Sequence, residues 1–97
     1  MAGFTHPQAE RLANRLMALT PENLTRCFFS DDGSTAVEVA VKMALQYFSN
    51  TGQPERNRIV AFADAYHGDT FGAMAVSGHT VYTRCFEPFL FEVYRLP

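Results

Sequence analysis

The sequence predicts an α/β chain of alternating helices and mostly parallel strands. Three observations carry that prediction. Apolar residues recur at helical spacing in separate segments. Short β-rich runs lie between and after those segments. The first two of these runs hand over to helix through a polar turn containing glycine. The order helix, strand, helix, strand, helix, strand is that of a layered unit whose successive strands run parallel.

The first helix is predicted over Pro7 to Leu19. Thr5 and Gln8 fit a capping box, and Pro7 falls in the first turn, where a missing N–H costs little. Leu12, Leu16 and Leu19 form its stripe, with Ala9 and Ala13 beside them, and Pro21 helps to close it. Arg26 to Ser30, centred on Cys27-Phe28-Phe29, reads as a strand buried on both faces because it lacks alternation. A second helix is predicted from Ser34 to Asn50, with Val37, Val41, Ala44 and Phe48 as its apolar face. Gly52 suits the residue just past its end, and Pro54 blocks continuation. Arg58 to Phe62 reads as the second strand. A short helix then runs through Phe71, Met74 and Val76, capped by Asp69 or Thr70 and ended by Ser77-Gly78. Phe89 to Tyr94 reads as the third strand, its apolar run continuing to Leu96. A parallel sheet needs cover on both faces, so the chain is expected to be a piece of a larger protein.

Composition narrows the function classes. At 97 residues the chain is at most one small domain, and a hydrophobic share of 47% is too apolar for disorder. The net charge of -2 has no basic block behind it, which argues against nucleic acid and against a membrane surface. No apolar run is long enough to span a bilayer. Met1 to Gln8 has neither a basic nor an apolar run, so no signal peptide is expected. Cys27 and Cys85 are far apart and form no CxxC; a reduced, cytoplasmic setting is the simpler expectation. His6, His67 and His79 lack metal-ligand spacing. No Walker loop, GxGxxG or GxSxG is present.

Two motifs carry chemistry. Ser30-Asp31-Asp32-Gly33-Ser34-Thr35 opens the second helix. A helix N-terminus offers unpaired N–H groups and the positive end of the dipole, glycine allows close approach, and Ser34 and Thr35 add hydroxyls, so the turn suits a phosphate. The same residues also read as simple capping by Asp32, Ser34 or Thr35, or as a Thr35–Glu38 capping box. Tyr66-His67-Gly68-Asp69-Thr70 follows the second strand, where Tyr66 can stack on an aromatic ring or pack on the core edge with its hydroxyl in water. His67 reads as a general base or as a structural residue. Together the motifs suit a ligand with a phosphate at one end and an aromatic ring at the other, of which pyridoxal phosphate is one. Its chemistry needs a Schiff-base lysine. The chain's single lysine, Lys42, lies ~12 Å along the helix from its start. It is badly placed for that role and sits at i, i+4 from Glu38, as an ordinary helix ion pair does.

The run from Phe28 to Ala44, Phe-Phe-Ser-Asp-Asp-Gly-Ser-Thr-Ala-Val-Glu-Val-Ala-Val-Lys-Met-Ala, resembles the phosphate-binding segment of class III aminotransferases. Ala65 to Met74 resembles their cofactor-stacking loop. Gly3-Phe4-Thr5-His6-Pro7, Leu19-Thr20-Pro21, Met43 to Tyr47 and Phe86 to Phe91 narrow the likeness to one member, and it covers nearly the whole chain. The resemblance implies that residues 1–97 are a partial cofactor-binding large domain of a fold-type-I, aspartate-aminotransferase-like enzyme. It implies Gly33 and Ser34 at the phosphate of pyridoxal 5'-phosphate. It implies Tyr66 against the pyridine ring and near the substrate, and Glu38 near the cofactor pocket. It places the family's Schiff-base lysine, and the aspartate that pairs with the pyridine nitrogen, beyond Pro97, so no catalytic residue is assigned within the chain. It also implies small-molecule substrates and a homodimer. An ω-amino acid or ornithine-type substrate is the alternative within the family. A non-catalytic module binding a phosphorylated aromatic ligand, or acting as an interaction surface, is the alternative outside it.

Overall fold

The computed structural model describes residues 4–97. Helix α1 spans Pro7–Leu19, as predicted, but its cap is His6 rather than Thr5. His6 has the extended backbone that a cap requires, and its Nδ1 accepts the Ala9 N–H at 3.3 Å. No described element covers the leucine stripe of α1, and Leu19 is 85% exposed. Gly3 of the motif that precedes this helix lies outside the described residues.

Helix α2 spans Gly33–Asn50, starting one residue before the predicted Ser34 because Asp32 takes the cap. The Asp32 carboxylate accepts the Thr35 N–H at 2.7 Å, and the Thr35 hydroxyl oxygen accepts the Asp32 N–H at 3.1 Å. Of the capping alternatives the sequence offers, this is capping by Asp32, not the Thr35–Glu38 box, and it leaves Glu38 free to act elsewhere. At the far end Gly52 adopts φ 75°; the Gln53 N–H donates to Phe48 O at 2.8 Å and the Gly52 N–H to Ser49 O at 3.2 Å. That is a Schellman stop, and it requires a residue that tolerates positive φ.

Residues 26–30 do not form a strand. Among the described residues no other strand lies alongside to supply ladder bonds, and β propensity alone does not form a strand. Cys27 is therefore exposed rather than buried, and Phe28 is 65% exposed. The two described strands are β1, Val60–Phe62, and β2, Tyr94–Leu96. They pair in parallel, with Val60 opposite Tyr94 and Phe62 opposite Leu96. The third strand thus begins later than predicted. Glu87–Phe89 forms a 3-10 turn with Pro88 inside it, and pairing starts only where the Tyr94 N–H reaches Ile59 O at 2.9 Å. The crossover between β1 and β2 carries helix α3, Phe71–Val76.

The core is small and centred on α3. Ala73, Met74, Ala75, Val76 and Val93 are buried, and Val37 and Val41 of α2 pack against the cluster with Ile59, Ala61 and Leu90. Ala44, assigned to the same stripe, is exposed instead. Phe48 lies half-buried under the Arg56 guanidinium, 4.2 Å from its ring centre. The radius of gyration is 15.9 Å, against ~13 Å for a compact domain of about 100 residues. Most large apolar side chains remain in contact with water.

Six residues are too few to hold a helix in water. The C-terminal end of α3 is held by Arg95, whose Nη2 donates to Ala75 O at 2.8 Å and Ser77 O at 3.0 Å. Arg95→Met in the intact protein is expected to orphan these carbonyls and cost about 2 kcal/mol, read by urea denaturation. A loss under about 0.5 kcal/mol, the scale of an unremarkable surface change, would show that the guanidinium does not hold the helix.

Candidate functional site

The turn that opens α2 and the loop that precedes α3 meet at one cleft. Gly33, Ser34 and Tyr66 line it together with Asp32, His67 and Asp69, and it encloses about 740 Å³. The contact between the two loop tips is intimate. Gly68 sits at φ 124°, and a Cβ at that position would fall on the Ser34 side chain. The Thr70 N–H donates to Ser34 Oγ at 3.0 Å, and the Ser34 and Thr70 hydroxyls are 2.8 Å apart.

One wall of the cleft is a donor site. The first-turn amides of a helix lack intrahelical partners. Asp32 takes that of Thr35, so Gly33 and Ser34 carry the remaining first-turn donors. Thr35, through its amide and then its hydroxyl, holds the Asp32 carboxyl below its ordinary pKa. Asp32 is therefore an anion at neutral pH, aimed at its own helix.

The facing wall is aromatic. Tyr66 is 73% exposed, and its hydroxyl donates to Asp69 Oδ2 at 3.0 Å. That hydrogen bond, with the Asp69 charge, raises the Tyr66 pKa, so the phenol keeps its proton. Tyr66, Gly68 and Asp69 also border a second, more apolar cleft of about 790 Å³ that continues to Phe71, Tyr82 and Phe86. His67 acts through its backbone. Its N–H donates to Ser77 Oγ at 2.9 Å, and the Ser77 hydroxyl donates to Ala73 O at 2.8 Å, tying the loop to α3.

Glu38 does not line the cleft. Its Oε1 accepts the N–H groups of Gly72 at 2.5 Å and Ala73 at 3.1 Å, closing the open end of α3. The Thr70 side chain is the largest cause of its lowered pKa, ahead of the Ala73 and Gly72 amides, with burial opposing; Lys42 contributes least. The expected Glu38–Lys42 pair is thus secondary to the reach toward α3. Lys42 itself borders a separate hollow with Phe28, Met43 and Tyr47, which neither Ser34 nor Tyr66 lines.

Sequence reasoning missed the roles of Asp69 and Thr70, reading both only as caps. Thr70 is the cap residue of α3 but makes no side-chain cap bond, because its hydroxyl is turned to Ser34. The spacing of Tyr66 and Asp69 was the available signal for their bond. Nothing local signalled the Ser34–Thr70 bond, which joins residues 36 apart.

A helix-opening turn with first-turn amide donors and an exposed ring at one cleft are parts that a phosphorylated aromatic ligand could use. The aminotransferase class-III family model matches residues 1–97, and the chain belongs to that family. The chain is 62% identical over 96 residues to adenosylmethionine-8-amino-7-oxononanoate aminotransferase of Synechococcus elongatus, covering 99% of this chain and 22% of the relative. The crystal structure of the enzyme of that name from Methanocaldococcus jannaschii superposes with TM-score 0.91 at 40% identity, over 98% of this chain and 22% of that one. An amine transaminase from an uncultivated Pseudomonas species, in its PLP-bound form, superposes with TM-score 0.87 at 36% identity, over 99% of this chain and 22% of that one. The chain spans about a fifth of the length of the relatives it matches. Among the described residues no helix is long and apolar enough to cross a membrane.

Proposed function

We propose that the chain is part of a pyridoxal 5'-phosphate-dependent transaminase of biotin synthesis. The enzyme takes the amino group of S-adenosylmethionine and passes it to 8-amino-7-oxononanoate (7-keto-8-aminopelargonate), giving 7,8-diaminopelargonate. One observation carries the reading: Gly33, Ser34 and Tyr66, from two motifs far apart in sequence, wall a single cleft. The likeness at 62% identity to an adenosylmethionine-8-amino-7-oxononanoate aminotransferase supports the choice of donor and acceptor. Membership in a transaminase family disfavours the non-catalytic alternative.

The residues present fit the cofactor. Gly33 and Ser34 would hold the phosphate through first-turn amides and the helix dipole. Tyr66, its hydroxyl held by Asp69, would stack on the ring, a contact worth roughly 1 kcal/mol beyond the area covered. When bound, the cofactor supplies an electron sink for proton loss beside the transferred amine. The chain's residues supply placement, which lowers the barrier by fixing orientation rather than by exchanging protons. Specificity groups and the Schiff-base lysine lie elsewhere in the full-length protein, which works as a cytoplasmic homodimer.

The test is a coupled assay of the purified full-length protein with 8-amino-7-oxononanoate and a panel of donors. S-adenosylmethionine is expected to be preferred; preference for ornithine or an ω-amino acid would move the chain to another branch of the family. The 97-residue chain alone is expected to show no transaminase turnover, since Lys42 faces another hollow. It is also expected to bind a hydrophobic dye and to lack a cooperative thermal transition, given how little of its apolar surface is covered. Turnover by the isolated chain, or a sharp calorimetric peak, would refute these expectations in turn.

A further inference from the structure

We propose that Glu38 is a positioning residue of the cofactor site, holding the Tyr66 loop at a fixed distance from the Gly33-Ser34 turn without touching the cofactor. The inference rests on the proposed function and deepens it.

Ser34 and Glu38 are four residues apart and share one face of α2. Both reach the start of α3. Ser34 Oγ accepts the Thr70 N–H, and the Glu38 carboxylate accepts those of Gly72 and Ala73. Two side-chain acceptors on one face of α2 thus take three N–H groups at the start of α3, whose own cap residue makes no side-chain cap bond. Tyr66 stands immediately upstream, tied back to the same helix through His67 N–H and Ser77. A charged acceptor on two amides is a strong bond, and its removal leaves α3 free to shift against α2. The shift would change the gap between the anion turn and the ring. Gly72 belongs to the same device, since a Cβ there would fall on the Glu38 carboxylate.

The test uses the full-length holoenzyme and pyridoxal 5'-phosphate as the probe, read by its dissociation constant and by the visible circular dichroism of the bound form. Glu38→Ala is expected to weaken cofactor binding by about tenfold or more and to change the dichroic band, because a misplacement of about 1 Å is costly at such a site. Glu38→Gln retains an acceptor oxygen in the same place and is expected to stay within about threefold of the parent. Gly72→Ala leaves Glu38 in the chain but displaces its carboxylate, and is expected to behave like Glu38→Ala. If Glu38→Ala fails to fold, Gly72→Ala decides. Gly52→Ala, at the far end of α2, is the control for general destabilisation: its thermal midpoint falls with the dissociation constant unchanged. Parent-like binding and dichroism in Glu38→Ala or Gly72→Ala would overturn the inference alone, as would Glu38→Gln as weak as Glu38→Ala. Failure of the unsubstituted holoenzyme to bind the cofactor would overturn the proposed function, and this inference with it.

Discussion

Gly68→Val in the full-length enzyme is expected to weaken pyridoxal 5'-phosphate binding by about a hundredfold or more, the scale of a misplaced positioning element. Two independent effects act at this residue. Its φ of 124° belongs to a region that side chains other than glycine rarely enter, at a cost of about 1–3 kcal/mol. The added Cβ would also fall on the Ser34 side chain, so the loop must retreat from the turn that opens α2, the proposed phosphate site. Gly68→Ala tests the same clash with the smallest possible group and is expected to lie between parent and valine variant. Gly33→Ala is an informative comparison for stability: a Cβ there meets open space, so the cofactor-free protein is expected to melt as the parent does. An absorbance titration reads the affinity. A Gly68→Val enzyme binding within twofold of the parent would show that the two loop tips need not touch.

Tyr66→Ala is expected to lower cofactor affinity by roughly tenfold, from loss of ring contact and of the area it covers. Tyr66→Phe separates the ring from the hydroxyl. It keeps the stacking face and removes only the donor to Asp69, so the cofactor dissociation constant is expected to hold within about threefold of the parent. Its effect should fall on the substrate side, as a raised KM for the amino acceptor. Because Asp69 pushes the Tyr66 pKa up, the phenol is protonated across the usual assay range, and no rate step near neutral pH should depend on its titration. If Tyr66→Phe loses cofactor as readily as Tyr66→Ala, the hydroxyl rather than the ring is the holding group.

Much of this architecture was legible from local pattern. Leucine spacing and Pro7 set both ends of α1, and Gly52 marked the stop of α2 through its positive φ. Parallel pairing followed from the alternation of helices and strands. What local pattern misjudged were quantities decided by partners. Residues 26–30 have β-rich composition but no described neighbouring strand, and β2 starts only where a ladder partner exists. The cap of α2, by contrast, is Asp32, one of the alternatives the sequence offered, selected because a reciprocal bond with Thr35 satisfies two groups at once. Gly33, Ser34 and Tyr66 were singled out because each motif has its own local chemistry, and they line one cleft. Glu38 was read as a cofactor neighbour from the family likeness, while its carboxylate reaches the amides of Gly72 and Ala73, 34 and 35 residues away. No window of sequence contains such a bond. The same holds for Arg95, whose Nη2 reaches carbonyls 18 and 20 residues upstream.

The short helix after the Tyr66 loop is clasped by an acid from before it and a base from after it. A protein engineer who wishes to transplant the ring-bearing segment between related enzymes therefore inherits an indivisible cassette. Residues 66–78 moved by themselves would arrive without either clasp, and a graft that swaps Glu38 and Arg95 along with them is the smallest one that carries its own scaffold.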